Sequence, residues 1–249
     1  MKRKKSPNEM SFLEHLGELR KRIIYSVSFL VIMFFASWGF SKEIYKFLAK
    51  PLTRFLPTGE KLAFTSIVDP FMMYLKVSFL AAIFFSSPFI FLQLWLFVAP
   101  GLYEKEKRYV LPFVFFTSFF FLSGGAFGYF IVFPWACNFF LKLGADFRPV
   151  ITIDQYFSLV IKVLLGIGLV FELPILIFFL SRLGIVNHKF LINKIGYAVL
   201  IIFIISALIT PTADMITQTI LAGPMIALYL VGVLIAYIFE KKEKENLKG

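Results

Sequence analysis

The sequence has one cysteine, two histidines and few charged residues, and each scarcity removes a class of protein or site. Cys137 lies alone in an aromatic-rich apolar run, so neither a disulfide framework nor a cysteine metal site is available within one chain. His15 and His188 are far apart and lack the spacing of metal ligands. Because charged residues make up only 16% of the chain, there is too little polar surface to cover a soluble globule of 249 residues.

The common catalytic motifs are also missing. The chain contains no H-E-x-x-H zinc site, no G-x-S-x-G nucleophile elbow, no P-loop and no Rossmann fingerprint. A net charge of +11 would suit nucleic acid, but the basic residues flank apolar runs and form no soluble basic domain. We therefore expect no enzymatic activity, no cofactor, no metal site and no nucleic-acid partner.

Long apolar runs dominate the chain, with 59% hydrophobic residues and a mean hydropathy of +0.82. About 20 helical residues are needed to cross a hydrocarbon core about 30 Å thick. Six runs are candidates, at approximately 23–40, 71–98, 109–141, 157–180, 195–210 and 216–239. The first follows about twenty polar or amphipathic residues and precedes no A-x-A site, so we interpret it as a retained span. The sequence predicts an all-α, polytopic membrane protein with one domain over 1–249.

The distribution of positive charge predicts the orientation. Six spans put both termini on one side of the membrane, and most of the 26 Lys and Arg residues fall in segments on that side. By the positive-inside rule, that side is cytoplasmic. We predict a cytoplasmic amphipathic amino-terminus (1–22), six spans (23–239) and a cytoplasmic tail (240–249).

Residues 11–22 predict an amphipathic helix lying on the membrane surface. Ser11 and Glu14 fit a capping box, which places the helix start at Ser11. Glu18 can pair with Lys21 or Arg22 three or four residues on, and a solvated ion pair is the simplest interpretation. One apolar stripe is expected, formed by Phe12, Leu16, Leu19 and Ile23.

Three local patterns concern packing. In the first outer loop, 41–70, the amphipathic pattern predicts a surface helix interrupted at Pro51, which either packs the loop or braces neighbouring helices and binds a partner. Gly124 and Gly128 form a G-x-x-x-G that predicts a close helix contact. The fifth run is about 16 residues, or about 24 Å, so we predict local membrane thinning there.

Ionisable residues inside the spans are candidates for function because their insertion is costly. Lys76 and Lys162 lie near the outer ends of their spans, where snorkelling is the simpler account. Glu172 lies well inside the fourth span, and Pro174 should bend the helix there by leaving the carbonyl of Val170 without its usual donor. Three interpretations stay open: a protonated, hydrogen-bonded Glu172, a proton relay, or a dock for a partner helix.

Several motifs together resemble the TatC family, the receptor subunit of the twin-arginine protein translocase. They are HLGELRKR before the first span, LWLFVAPGLYEKEKR after the second, FELP in the fourth, and TPTAD with a following Gln218 after the fifth. The resemblance covers essentially the whole chain. It implies a glove-like, concave helical bundle in a prokaryotic cytoplasmic membrane and transport driven by the proton-motive force.

The resemblance also assigns roles to individual residues. Glu18 and Glu106 match the family's glutamates for binding paired-arginine signal peptides, and two carboxylates suit two guanidinium groups. Other signature positions would shape or support that site: Leu19, Arg20, Phe97, Pro100 and Tyr103. Pro51 matches a position in the first outer loop. The positions implicated in contact with partner helices are Glu172, Thr210, Asp214 and Gln218.

The implied partners are signal peptides of folded cargo, single-span subunits of the TatA/TatB type, further copies of the chain itself, and membrane lipid. One departure is Leu230, where many relatives carry glutamate, which puts any polar contact at that position in question. Two rival functions stay open from the residues alone: a secondary transporter with Glu172 as its ion-coupling site, and an intramembrane enzyme. No repeat or pair of broken helices supports the transporter.

Overall fold

The fold is described from a computed structural model over residues 12–55, 62–98, 110–147, 149–182, 184–210 and 215–246. Ten α-helices and one π-helical turn account for most of this part of the chain. They are α1 Phe12–Gly39, α2 Ser41–Thr53, α3 Asp69–Val98, α4 Val110–Phe127, the π turn Gly128–Val132, α5 Phe133–Leu143, α6 Ile153–Val170, α7 Leu173–Arg182, α8 His188–Asn193, α9 Ile195–Ile209 and α10 Met215–Asn246. An isolated bridge pairs Ala63 with Thr152.

The all-α, multi-pass membrane fold is confirmed. Five helical stretches are long and apolar enough to cross a membrane: Glu14–Gly39, Asp69–Val98, Leu111–Leu143, Ile153–Arg182 and Met215–Glu240. The fifth predicted span is the shorter apolar helix Ile195–Ile209, whose 15 residues are about 22 Å long. The predicted shortness of this span is therefore confirmed.

Residues 12–22 do not form a separate surface helix. They continue into the first span as one helix of 28 residues, about 42 Å long. No proline interrupts 12–39, so nothing forces the chain to break at the start of the apolar run. The predicted helix start at Ser11 lies outside the described residues.

The chain divides into two compact units, 1–44 with 74–119 and 45–73 with 120–249. In the first unit, the ring of Phe29 in α1 stacks on Phe89 in α3 at 4.4 Å between centroids. Trp95 of α3 stacks on Phe113 of α4 at 4.6 Å, and its indole N–H donates to Thr117 Oγ1 at 3.2 Å. Aromatic contacts and one buried polar contact thus join α1, α3 and α4.

In the second unit, glycines let helices approach closely. A Cβ added at Gly124 would lie 2.8 Å from Phe171 Cβ and 2.9 Å from the Cα of Gly168 in α6. One added at Gly128 would lie 3.1 Å from Leu164 Cδ2. The predicted role of the G-x-x-x-G in close packing is confirmed.

The helix α2 corrects one expectation, because it runs through Pro51 and ends at Thr53. Pro51 has no N–H for the carbonyl of Phe47, four residues earlier, and that carbonyl instead accepts the hydroxyl of Tyr129 at 2.6 Å. The π turn carries Tyr129, whose ring stacks on Phe47 at 4.3 Å. The next carbonyl, that of Leu48, accepts the hydroxyl of Tyr156 at 2.8 Å. The hydroxyl of Tyr129 therefore compensates for the donor that Pro51 lacks.

Candidate functional site

The first site lies in the amino-terminal turns of α1. Arg22 follows Glu18 by four residues, so both side chains lie on one helix face. Glu18 Oε1 accepts hydrogen bonds from Arg22 Nε at 2.7 Å and lies 2.5 Å from Arg22 Nη2. The two side chains keep about a fifth of their surface exposed. Of the two predicted partners for Glu18, the structure selects Arg22.

Gln93 on α3 holds the other edge of the same guanidinium. Arg22 Nη1 donates to Gln93 Oε1 at 3.0 Å, and Gln93 is only 6% exposed. The arginine therefore bridges a partly exposed carboxylate and a buried amide. Sequence reasoning missed Gln93, although an amide within the apolar run of α3 was a detectable sign.

Of the other residues of the predicted signal-peptide site, three lie in the described part of the chain. The ring of Phe97 stacks on His15, one turn before Glu18, with 4.5 Å between centroids. Leu19 is half-buried and Arg20 is exposed. Pro100, Tyr103 and Glu106 lie outside the described residues, so the pairing of Glu18 with Glu106 stays a prediction.

The second site is a helix break at Glu172. Helix α6 ends at Val170 and α7 begins at Leu173, so the helix is interrupted just before Pro174, where the sequence predicted a bend. At the break, Glu172 N–H donates to the carbonyl of Leu169, three residues back, at 3.1 Å. Glu172 Oε1 is buried without a hydrogen-bond partner among the described residues.

An unpartnered buried carboxyl oxygen is costly to keep, by about 1 to 3 kcal/mol. The residue just before it, Phe171, packs against Gly124, so α4 closes one side of the break. The arrangement offers a hydrogen-bond acceptor, or a donor if protonated, within a span. Such a group suits a polar side chain of another helix.

The third predicted group lies where α9 and α10 meet. The N–H and Oγ1 of Thr210 both donate to the carbonyl of Ser206 at 2.9 Å. Ser206 Oγ in turn donates to the backbone carbonyl of Gln218 at 2.8 Å. The structure thus links Thr210 to Gln218 through Ser206, a fully buried residue that sequence reasoning missed. Asp214 lies outside the described residues.

The remaining predicted positions are less involved. Pro51 is buried in α2, where its effect on the Phe47 carbonyl gives it a structural role. Leu230 is 47% exposed. Lys162 is exposed and Lys76 half-buried within their spans. Over the described residues, no group of three His, Cys, Asp or Glu side chains could hold a metal ion.

Comparisons with known proteins identify the family. The profile described as "Sec-independent protein translocase protein (TatC)" matches residues 14–224. TatC of Koribacter versatilis (strain Ellin345) is 44% identical over 240 residues, covering 95% of this chain and 89% of the relative. TatC of Campylobacter jejuni (serotype O:2) is 43% identical over 224 residues, covering 89% of this chain and 91% of the relative.

The fold agrees with the sequence comparison. A crystal structure of the twin arginine translocase receptor TatC matches with a TM-score of 0.80 at 32% identity, covering 90% of this chain and 99% of that chain. A second crystal structure of the receptor, in DDM, matches with a TM-score of 0.82. Both the resemblance drawn from the motifs and the multi-pass helical architecture are confirmed. The chain belongs to the TatC family of Sec-independent protein translocase proteins.

Proposed function

We propose that the chain is the receptor subunit of a twin-arginine translocase, binding paired-arginine signal peptides of folded cargo with Glu18 and Glu106. The observation that carries the proposal is the contact between Glu18 and Arg22, since the carboxylate already binds a guanidinium. A carboxylate and a guanidinium match each other in charge and in planar geometry. In this proposal the termini and the Glu18 site are cytoplasmic, as the distribution of Lys and Arg favours.

Binding then proceeds by exchange at Glu18. An incoming signal arginine competes with Arg22 for the carboxylate, while Gln93 keeps the Arg22 guanidinium hydrogen-bonded on its other edge. The part of the pair that stays exposed, about a fifth of each side chain, lets the peptide reach it, and the modest strength of the pair lets the contact exchange. Glu106 supplies the acceptor for the second arginine.

Cross-linking tests the assignment. A twin-arginine peptide carrying a photo-reactive group should be captured by the wild-type protein and by the Glu14→Gln variant, a control one turn before Glu18. Capture should fall in Glu18→Gln and in Glu106→Gln, and most in the double variant. A peptide with paired lysines should be captured poorly, because lysine lacks the planar fork. Equal capture by the double variant and the wild type would refute the proposal.

Recruitment of single-span subunits is assigned to Glu172 and the region of Thr210, Asp214 and Gln218. The unpartnered Oε1 of Glu172 supports this, because a polar side chain on a partner helix would satisfy it. We expect co-purification of the partner to survive Glu172→Gln, which keeps a polar group, and to fail in Glu172→Leu. The variant Lys162→Gln, at an exposed position of the same span, is the control. Undiminished co-purification with Glu172→Leu would contradict the assignment.

Export itself is proposed to use the proton-motive force.

A further inference from the structure

A large apolar pocket lies in the second unit, and its lining includes no residue of the three predicted sites. Its volume is about 720 Å³, within the range of small-molecule pockets in proteins. It is lined chiefly by aromatic and aliphatic side chains from the end of α2, from α5, from the described residues between α5 and α6, and from the start of α6, among them Leu52, Phe133, Phe140, Phe147 and Tyr156. Its ligand should therefore be mainly apolar.

Two walls of the pocket are fixed in place. Phe133 is 1% exposed and Tyr156 is 4% exposed. The ring of Phe133 meets that of Tyr156 edge-on at 5.4 Å between centroids, and the hydroxyl of Tyr156 is held by the Leu48 carbonyl at 2.8 Å. The pocket is therefore bounded by packed residues of the helical core, and it does not depend on a loose surface loop alone.

The depth of the pocket indicates a membrane component. Its lining begins at Phe133, ten residues before Leu143, where the span Leu111–Leu143 ends. Ten helical residues correspond to about 15 Å. The span of 33 residues, about 50 Å long, exceeds a hydrocarbon core of about 30 Å by about 10 Å at each end, so the pocket reaches about 5 Å into the core. A hydrocarbon chain of a lipid can enter at that depth, whereas a polar solute would have to leave water.

Three cationic residues lie in a row on α2 and just beyond the carboxy-terminal end of this helix. Lys46, Lys50 and Arg54 are exposed and spaced four residues apart, while Leu48 and Leu52 are buried on the other face. Leu52 and Phe55, which precede and follow Arg54 in the sequence, both line the pocket. The acidic residues next to the lining, Asp146 and Asp154, belong to the 144–155 segment and not to α2. An amphipathic helix with a basic face and an apolar face is typical of contact with anionic lipid.

We propose that this pocket binds one acyl chain of an anionic phospholipid, whose phosphate group lies against Lys46, Lys50 and Arg54. The amide of Gln155, which also lines the pocket, is placed to donate to an ester carbonyl of the lipid. The bound lipid would anchor the end of α2 to the hydrocarbon region. This lipid site does not depend on the signal-peptide function proposed above.

Native mass spectrometry of the purified full chain tests the proposal with dioleoyl phosphatidylglycerol and dioleoyl phosphatidylcholine. We expect one phosphatidylglycerol to be retained at least tenfold better than phosphatidylcholine. The triple variant Lys46→Gln, Lys50→Gln, Arg54→Gln should lose that preference. A control triple with the same change of charge, Arg182→Gln, Lys189→Gln, Lys194→Gln, should keep it. Equal retention of both lipids by the wild type, or equal loss in the two triples, would overturn the proposal.

The pocket itself is tested by filling it. Ala136 lines the pocket, and Ala136→Phe should abolish retention of both lipids while the thermal midpoint is monitored to confirm folding. A photo-reactive amino acid placed at Gln155 provides a second readout that leaves the pocket open. It should form one defined adduct with the acyl chain. The same photo-reactive amino acid placed at Leu208, an exposed residue of α9, should not form this adduct. Retention unchanged by Ala136→Phe, or no adduct at position 155, would place the lipid elsewhere.

Discussion

At the scale of single residues, Arg22 has two partners of different kinds. Glu18 offers a charge that a signal peptide would also seek, and Gln93 offers a neutral, buried acceptor. An ion pair between partly exposed residues four apart on a helix is worth only about 0.3 to 0.5 kcal/mol. In the proposed exchange, the resident arginine is therefore only a weak competitor for Glu18.

Removing that competitor should strengthen signal binding. We expect Arg22→Gln to increase the affinity for a twin-arginine peptide about twofold, because Glu18 loses its resident guanidinium. Fluorescence anisotropy of a labelled peptide with the detergent-solubilised protein measures the change.

The neighbouring Lys21 provides a control matched in charge. Its ammonium lies 5.8 Å from the centre of the Tyr25 ring, so Lys21→Gln removes one positive charge without freeing Glu18. A smaller gain is expected there. Weaker binding with Arg22→Gln would instead make Arg22 a group that positions Glu18, and would contradict competition.

At the scale of elements, α2 shows how a proline is accommodated inside a helix. The Phe47 carbonyl, which loses its donor to Pro51, is served by Tyr129 from a π turn 82 residues away in sequence. Such turns frequently occur at functional sites, and here the turn directs a hydroxyl to the one carbonyl that needs it. The position of α2 is thus coupled to the π turn.

A double-mutant cycle tests this coupling. Tyr129→Phe should lower the free energy of unfolding by about 1 to 2 kcal/mol, because the Phe47 carbonyl loses its donor. The cost should shrink in a Pro51→Ala background, where the backbone N–H of residue 51 is restored. Tyr156→Phe, which acts on the Leu48 carbonyl, is the comparison and should show less coupling to Pro51→Ala. Additive effects of Tyr129→Phe and Pro51→Ala in thermal or denaturant unfolding would exclude the compensation.

The contact of α4 with α6 should be intolerant of a methyl group. Gly124→Ala places a Cβ 2.8 Å from the Cβ of Phe171, so we expect a loss of about 1 to 3 kcal/mol in stability. Gly223→Ala in α10 is the control, since no described atom lies within 4 Å of its added Cβ. That change should be neutral or slightly stabilising. Comparable thermal midpoints for the two variants would show that the close approach carries no stability.

How far the sequence anticipates these elements depends on the range of the interactions. The bend at Glu172 and the pair of Glu18 with Arg22 follow from residues within four positions, and both could be predicted. The path of α2 through Pro51 depends on Tyr129, and the anchor of Arg22 depends on Gln93, 71 residues away. Neither could be deduced from local patterns. The continuity of α1 was missed because polar composition suggested a surface helix, although no residue there interrupts the backbone.

At the scale of the whole molecule, the helices fit the membrane unequally. Residues Met215–Asn246 form a helix of 32 residues, about 48 Å, whereas α9 is only about 22 Å long. Helix α10 is longer than a bilayer core is thick, so part of it extends beyond the core. Helix α9 is shorter than the core is thick, which favours a locally thinner bilayer. Orientation is not fixed by these lengths and rests on the Lys and Arg distribution.

Labelling with a membrane-impermeant maleimide tests the orientation. The single native cysteine is 8% exposed, so Cys137→Ala should yield an unreactive background that still folds. In intact cells we expect Arg54→Cys to be labelled and Lys189→Cys to be protected until the membrane is opened. The opposite pattern would invert the predicted topology.

The 42 Å continuity of α1 has a mechanical consequence. Only 6% of the most apolar stretch of α1 is buried within the protein. Arg22 nevertheless connects the beginning of α1 to Gln93, and the turn at Phe40 joins its end directly to α2. A continuous helix with few packing contacts along its length tilts as one rigid body. If the proposed signal peptide binds Glu18, a force on the peptide would therefore be carried along the whole of α1 to the turn at Phe40.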